Sequence, residues 1–312
     1  MKVVFMGTPD FAVKSLRALF GSGREVVGVF TQPDRPRGRG RRVAPTPVKE
    51  QALEYGAPVF QPETLRGGAA LSALEELAPD MIAVTAYGKL LPPEILALPP
   101  LGCVNIHGSL LPKYRGAAPV QRAIMDGETV TGVTSIFMAP GLDEGDIILS
   151  RNTDIGDGET FGQLYERLGE MGARLLVETA DAIEAGAARA AAQDSSAASY
   201  APPITKQDAV IDWTAPADAI IRKIRALDPR PAASADMCGT RMKLFAARRA
   251  DIGAGDCGKP GDVLAESREG IAVACGDGAV LITELQAPGG ARMAARDYLR
   301  GHSLARARET RA

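Results

Sequence analysis

Short apolar runs alternating with helix-patterned stretches constrain the first half of this 312-residue chain more than any other feature. Residues 3–6 are Val-Val-Phe-Met, ending in the turn Gly7-Thr8-Pro9-Asp10. A helical pattern follows, with Phe11, Leu16, Leu19 and Phe20 on or near one face. Residues 26–30, 58–60, 81–86 and 103–106 read as further strands, with helical stretches near 47–55, 70–78 and 117–126. Such alternation predicts an α/β protein with a doubly wound, mostly parallel sheet, because parallel neighbours need a crossover long enough to hold a helix. Residues 131–138 and 146–151 add two strands, and Phe161, Leu164, Tyr165, Leu168, Leu175, Thr179 and Ile183 mark a long amphipathic helix.

The second half changes character. Residues 185–207 are dominated by Ala, Ser, Gly and Pro, which suits a linker. Ile220, Ile221, Ile224 and Leu227 then form one helical stripe, and short strand-like runs follow at 242–246, 262–265, 270–274 and 280–285. Closely spaced short strands predict a small β-barrel. The expected organisation is a catalytic domain over 1–185, a linker over 186–207 and a β-domain over 208–312.

Composition excludes several classes. With 46% hydrophobic and 24% charged residues the chain is globular. Cys103, Cys238, Cys257 and Cys275 form no C-x-x-C pair, so reduced thiols are expected rather than a disulfide framework or a metal site. The first apolar run is too short for a signal-peptide core and no run approaches membrane-spanning length, so a cytoplasmic protein without membrane contact is expected. The first turn lacks Gly-x-Gly-x-x-Gly, and Pro9 lacks the backbone donor that a pyrophosphate cradle wants, which disfavours a dinucleotide. A net charge of −2 argues weakly against general nucleic-acid binding. Within 31–49, however, Arg35, Arg37, Arg39, Arg41, Arg42 and Lys49 face Asp34 alone. Phosphate binding depends on such local charge, although a charge run is as often a solvated loop.

One of only two histidines lies in Asn105-Ile106-His107-Gly108-Ser109-Leu110-Leu111-Pro112. Alternation along a strand projects Asn105 and His107 to the same side. Histidine moves protons near neutral pH, and an amide beside it can hydrogen-bond an oxygen on which negative charge develops. The turn Gly141-Leu142-Asp143-Glu144-Gly145-Asp146 offers a carboxylate to the imidazole. A lone histidine at a strand end is more often a satisfied structural residue, and an aspartate in a turn more often stabilises it. The long ordered continuation through 109–124 decides for function.

That continuation, Ser-Leu-Leu-Pro-Lys-Tyr-Arg-Gly-Ala-Ala-Pro-Val-Gln, resembles the folate-dependent formyltransferases, whose shared core is Asn-x-His-x-Ser-Leu-Leu-Pro-x-Tyr-Arg-Gly followed by a Gly-x-Asp loop. Within that group, 31–49, Gly7-Thr8-Pro9-Asp10-Phe11-Ala12, Ala86-Tyr87-Gly88, Ala209-Val210-Ile211-Asp212-Trp213 and Asp297-Tyr298-Leu299-Arg300-Gly301 resemble the methionyl-tRNA formyltransferases. The resemblance implies a Rossmann-like catalytic domain joined to an OB-like β-barrel. It implies formyl transfer from 10-formyltetrahydrofolate, as co-substrate and without a metal, to the amino group of methionyl-initiator tRNA. The expected catalytic set is Asn105, His107 and Asp143. Ser109, Leu110, Leu111 and Pro112 with Ala86, Tyr87 and Gly88 are expected to line the folate pocket. Arg35, Arg37, Arg39, Arg41 and Arg42 are expected to hold tRNA, with Arg39 matching the family's most important loop arginine. So polar a segment is expected to stay mobile until RNA supplies counter-charge. A monomer is expected.

The chain departs from the family pattern where Pro229-Arg230-Pro231 replaces Pro-Trp-Pro, and where Pro203 stands in place of a lysine. Both departures bear on the RNA-binding mode of the second domain and leave the catalytic set intact. An alternative acceptor is an amino-sugar nucleotide or another small amine, which the basic loop and the β-domain disfavour. A non-catalytic RNA-binding protein is disfavoured by the intact Asn105, His107 and Asp143.

Overall fold

A computed structural model describes residues 1–37, 42–251 and 258–304. In chain order the first elements are β1 (Lys2–Gly7), α1 (Asp10–Gly21), β2 (Glu25–Phe30), β3 (Arg35–Arg37), β4 (Arg42–Ala44), α2 (Pro47–Glu54), β5 (Val59–Phe60), α3 (Gly68–Leu77) and β6 (Met81–Thr85). They continue with α4 (Pro93–Leu96), β7 (Cys103–His107), β8 (Arg115–Gly116), α5 (Pro119–Asp126), β9 (Val130–Phe137), β10 (Ile147–Asp154), α6 (Phe161–Glu184) and β11 (Tyr200–Ala201). The chain divides into two compact units. The first comprises Met1–Pro119, Val130–Asp154 and Tyr165–Ala201.

Among the described residues, seven strands form the central sheet of this unit, in the order β10-β9-β7-β6-β1-β2-β5. β5, β2, β1, β6 and β7 run parallel, β9 runs antiparallel to β7, and β10 antiparallel to β9. β6 and β7 are buried along their whole length and β1 from Val3 onward. Near-continuous apolar runs are what strands covered on both faces require. One face packs Val4, Met6, Ile82, Val84 and Cys103 against Leu74, Leu91 and Ile95. On the other face Gly172 of α6 comes so close to Ile106 that a Cβ there would lie 2.9 Å from the isoleucine methyl. From β1 the chain builds outward to β2 and β5, then returns to β6 on the other side. The turns after β1 and β6 therefore open at the topological switch point, where doubly wound sheets bind ligands.

The second unit takes Val120–Thr129, Ile155–Leu164 and the chain from Pro202 onward. Segments 120–129 and 155–164 lie inside the range expected for the catalytic domain, yet their bonds tie them here. Arg222 of α7 (Ala217–Leu227) donates to the Met125 carbonyl, Arg225 donates to the Gly156 carbonyl, and the Gly162 amide donates to that of Asp228. The β-domain is an antiparallel ladder of β12 (Ala233–Met237), β13 (Thr240–Arg249), β14 (Val263–Glu266), β15 (Ile271–Cys275) and β16 (Gly278–Gln286). The short β17 (Met293–Ala294) pairs with β16 and leads into α8 (Ala295–Leu299). β12 is absent from the sequence reading, since Ala-Ser-Ala-Asp-Met lacks the branched and aromatic residues that mark strands. Its alternation shows in burial instead: Ala233, Ala235 and Met237 face the core between partly exposed Ser234 and exposed Asp236.

Two further expectations are revised. The basic segment is not wholly without structure, because Arg35–Arg37 pairs antiparallel with Arg42–Ala44. Residues 186–201, read as linker, belong to the first unit: Ala191 bridges Ile147, and Tyr200 and Ala201 pair with Arg115 and Gly116. Backbone pairing there needs no large apolar side chain, so composition did not announce it.

Thr46 caps α2 by accepting from the Lys49 amide at 3.1 Å, and its hydroxyl lies 2.7 Å from that of fully buried Thr31. Losing the cap and stranding Thr31 gives an expected destabilisation of about 2–4 kcal/mol for Thr46→Ala. Thr46→Ser should recover most of it. Urea unfolding followed by circular dichroism checks both, and equal losses in the two variants would show that the hydroxyl is not responsible.

Candidate active site

β7 places Asn105 and His107 on one face, both buried. The turn carrying Asp143 reaches them by an unexpected route. β9 is antiparallel to β7, so its final residue Phe137 pairs with Val104, at the far end of β7 from His107. The loop 138–146 must therefore fold back across the face of β7 to bring Asp143 to its partners. Asn105 Nδ2 donates toward Asp143 Oδ1 at 3.4 Å, and His107 Nδ1 lies 3.5 Å from Asp143 Oδ2. The Gly116 amide donates to the same Oδ2 at 2.8 Å, which makes it the tightest contact on the carboxylate. The expected three residues are thus brought together.

His107 is fixed from its other side. Nε2 lies 2.8 Å from the Tyr114 carbonyl, which can only accept, so Nε2 carries a proton. The turn after β7 is held by Thr134 of β9, whose hydroxyl donates to the Ser109 carbonyl at 2.7 Å and accepts from the Leu111 amide at 3.2 Å. Tyr114 and Asp143 both adopt left-handed backbone conformations, at φ +61° and +52°. Gly145 permits the Asp143 turn, since a Cβ there would sit 1.6 Å from the Phe137 carbonyl oxygen.

Two residues in this network carry no signal in the sequence reading. Gln193, in the stretch taken for linker, donates from Nε2 to the carbonyls of Asp143 at 2.8 Å and Gly145 at 2.7 Å. Its Oε1 accepts from Arg115 Nε at 3.1 Å and Nη2 at 2.8 Å. Ser199 receives the Tyr114 amide on its hydroxyl at 2.9 Å and the Arg115 amide on its carbonyl at 2.8 Å. No periodicity marks an isolated Gln or Ser among alanines; only the pairing of 200–201 with 115–116 brings them in.

The residues expected at the folate pocket divide. Ala86-Tyr87-Gly88 and Ser109 to Pro112 leave β6 and β7, which are adjacent and parallel with Thr85 opposite Ile106, so both turns open at one edge. Ser109 is fully buried and its hydroxyl donates to the Lys113 carbonyl at 2.6 Å, so its side chain serves the turn. Leu110 packs against Gly132 of β9, where an added Cβ would lie 2.6 Å away. Tyr87 is buried, with its phenol pushed up to about 12 by burial, and its carbonyl accepts from Thr8 Oγ1 at 3.0 Å and Gln32 Nε2 at 3.1 Å. Exposed Ala86 and Gly88 flank it.

At the same edge stands the stem of the basic hairpin. Lys49 Nζ donates to Asp34 at 2.6 Å and Gln61 at 2.7 Å, and Gln61 donates back to Asp34 and to the Gln32 carbonyl. Hydrogen bonds from Lys49 and then Gln61 hold the Asp34 carboxyl below its ordinary value. Lys49 thus neutralises Asp34 rather than adding to the phosphate-facing charge. Arg35 is exposed and near Lys89, whose ammonium is pushed down chiefly by burial and further by that guanidinium. Arg39 and Arg41, and the side chains of Arg37 and Arg42, lie outside the described residues. Among the described residues, no group of three or more His, Cys, Asp or Glu side chains is arranged to hold a metal ion, and no helix is long and apolar enough to cross a membrane.

Comparison with known proteins agrees with this architecture. Residues 1–180 match the family model described as formyl transferase, and residues 203–303 that of the formyl transferase C-terminal domain. The methionyl-tRNA formyltransferase of Moorella thermoacetica is 48% identical over 97% of both chains, and that of Methylococcus capsulatus 46% identical over 98% of both. Among solved structures, an N-formyltransferase from Helicobacter canadensis, complexed with folinic acid and dTDP-3-aminofucose, aligns with TM-score 0.67 and 18% identity over 90% of this chain and 98% of that one. HypX from Aquifex aeolicus with tetrahydrofolic acid aligns with TM-score 0.63 and 21% identity, covering 96% of this chain and 47% of that one. These two likenesses show the shared fold. By both domain matches and by near-full-length identity, the chain belongs to the formyl transferase family, in its methionyl-tRNA formyltransferase branch.

Proposed function

We propose that this enzyme transfers the formyl group of 10-formyltetrahydrofolate to the amino group of methionyl-initiator tRNA. The observation that carries the chemistry is the convergence of Asn105, His107 and the Gly116 amide on the Asp143 carboxylate. Full-length relatives at 48% and 46% identity favour tRNA over an amino-sugar acceptor. The methionyl amine attacks the formyl carbon, a C–N bond forms, and the carbonyl oxygen becomes an oxyanion. Asn105 and His107 hold their donors at 3.4 and 3.5 Å from Asp143, longer than committed hydrogen bonds, so an incoming oxyanion competes for them on good terms. An imidazole protonated on both nitrogens serves the Tyr114 carbonyl and this second acceptor together. Asp143 orients the ring and takes the proton the amine loses. The tetrahedral adduct then collapses, the bond from the formyl carbon to the folate nitrogen breaks, and that nitrogen takes the proton Asp143 had accepted, which restores the carboxylate.

The donor is assigned to the edge formed by the 86–88 and 109–112 turns. Partly exposed Pro112 offers apolar surface there, and exposed Ala86 and Gly88 offer backbone. The acceptor is assigned to the basic hairpin, where Arg39 would place the amine while Arg35, Arg37, Arg41 and Arg42 meet phosphate. A cytoplasmic monomer completes the proposal.

Two outcomes test this reading. Asn105→Ala should lower kcat about 10²–10³-fold, the usual cost of removing one oxyanion donor, and Asp143→Asn about 10²–10⁴-fold, the usual contribution of a positioned base, both with tRNA affinity kept. Near-normal turnover in both variants, measured with charged initiator tRNA, would sink the catalytic assignment. Arg39→Ala should depress formylation far more than tRNA affinity, because a positioning contact acts on turnover. Arg41→Ala with Arg42→Ala should instead weaken affinity and flatten its salt dependence by about one unit of slope for each phosphate no longer neutralised. Filter binding across a salt series separates the two, and full activity after deletion of 35–42 would move the acceptor site elsewhere.

A further inference from the structure

We infer that Gln193 is a positioning residue for the formyl transfer, acting through the backbone carbonyls of Asp143 and Gly145. The inference rests on the assignment of Asp143 as the acid–base group. Its ground is that every polar atom of the Gln193 side chain is directed at the active-site loops. Nε2 bonds the Asp143 carbonyl at 2.8 Å and the Gly145 carbonyl at 2.7 Å, spending both of its protons. Oε1 accepts from two nitrogens of Arg115, at 3.1 and 2.8 Å. Arg115 also pairs with Glu144 at 3.6 Å and precedes Gly116, whose amide holds the Asp143 carboxylate at 2.8 Å. One carboxamide thus ties the two turns that set the carboxylate: 143–145, which carries it, and 114–116, which supplies its tightest donor and the Tyr114 carbonyl for His107.

The loop needs such a clamp. Asp143 sits at φ +52°, a left-handed conformation that costs a non-glycine residue about 1–2 kcal/mol. No ladder hydrogen bond pins residues 139–145, which lie outside the strands on either side. Two bonds from Gln193, each contributing about 1 kcal/mol, are of the size needed to offset that strain. They also act on the strained residue's own carbonyl and on that of Gly145, so they fix the path of the backbone from which the carboxylate projects. Without them the loop can relax, and a displacement of about 1 Å at a reacting group can cost roughly 10²-fold in rate.

Gln193→Glu isolates this role. The carboxylate keeps the shape and the pairing with Arg115, while both donors to the loop carbonyls are replaced by acceptors. A purely structural residue would show the change as lost stability alone, with the kcat of the folded variant unaffected. The expected result is a fall in kcat of about 10–100-fold. KM for the folate donor and for charged initiator tRNA should stay within about threefold when assayed well below the variant's melting temperature. Gln193→Ala, which removes the clamp without adding charge, should show the same kcat loss and covers the case in which the glutamate variant fails to fold. Unchanged kcat in either folded variant overturns the inference. So does a loss that appears only in KM, or that vanishes when the assay is run well below the variant's melting temperature. Asp143→Asn assayed alongside keeps the two claims apart: if it retains turnover, the assignment of Asp143 fails; if it is inactive while Gln193→Glu and Gln193→Ala turn over normally, only the role of Gln193 fails.

Discussion

The hydrogen bond from the Gly116 amide to the Asp143 carboxylate is the contact on which the site depends. It joins the turn after β7 to a loop that arrives from the opposite end of that strand. Gly116 itself adopts φ +116°, and a Cβ there would lie 2.7 Å from the Tyr200 ring and 2.8 Å from the Ala201 carbonyl oxygen. A glycine is thus required for β11 to pair with β8, and that pairing is what aims the amide. A backbone donor also has an advantage over a side chain here. It brings no rotamer freedom to be lost and no charge of its own, so the carboxylate is held without being neutralised. Charge-assisted bonds of this kind contribute roughly 1.5–3 kcal/mol, enough to exceed the strain of the left-handed Asp143.

The bonds at the centre grade in length, and the grading has a chemical consequence. Contacts that build the site are short: 2.8 Å from Gly116, 2.8 Å between His107 Nε2 and the Tyr114 carbonyl, and 2.7 Å from Thr134 to the Ser109 carbonyl. Contacts among the reactive groups are long, 3.4 Å for Asn105 and 3.5 Å for His107. Groups already locked to one another at full strength would have to break that bond before serving a substrate. Held near each other by third parties, they remain available. Preorganisation here lies in the scaffold, with the reactive groups left under-committed.

Much of this was legible in the sequence. The alternation of apolar runs and helical stripes gives the doubly wound sheet, because burial on both faces demands unbroken Val, Ile, Met and Phe in its central strands. Asn105, His107 and Asp143 could be named because they stand in a long ordered motif, and their two-residue spacing puts the first two on one face. What could not be read depends on backbone. β12 is built from Ala, Ser and Asp, and β11 from two residues, so neither carries a hydrophobic signature. Gln193 and Ser199 act through main-chain groups of residues more than forty positions away, and an amide facing a carbonyl leaves no trace in composition. Lys49 is the opposite case: its charge was visible, but only the structure shows it spent on Asp34 and Gln61.

That last pairing changes how the basic segment should be understood. Asp34 and Lys49 sit at the two sides of the hairpin stem, each about a quarter exposed, and their ion pair with Gln61 is anchored to the turn after β6 through Gln32 and the Tyr87 carbonyl. Partial burial reduces screening by salt, so this stem contact persists at ionic strengths that weaken exposed pairs. Division of labour follows from the physics. A charge needed for a mobile polyanion must stay unpaired in the free protein, and a charge needed to fix a loop must be paired. Along this short stretch Lys49 is committed to the fold by Asp34 and Gln61, while the arginines at 35–42 are the residues that the proposal above assigns to the acceptor.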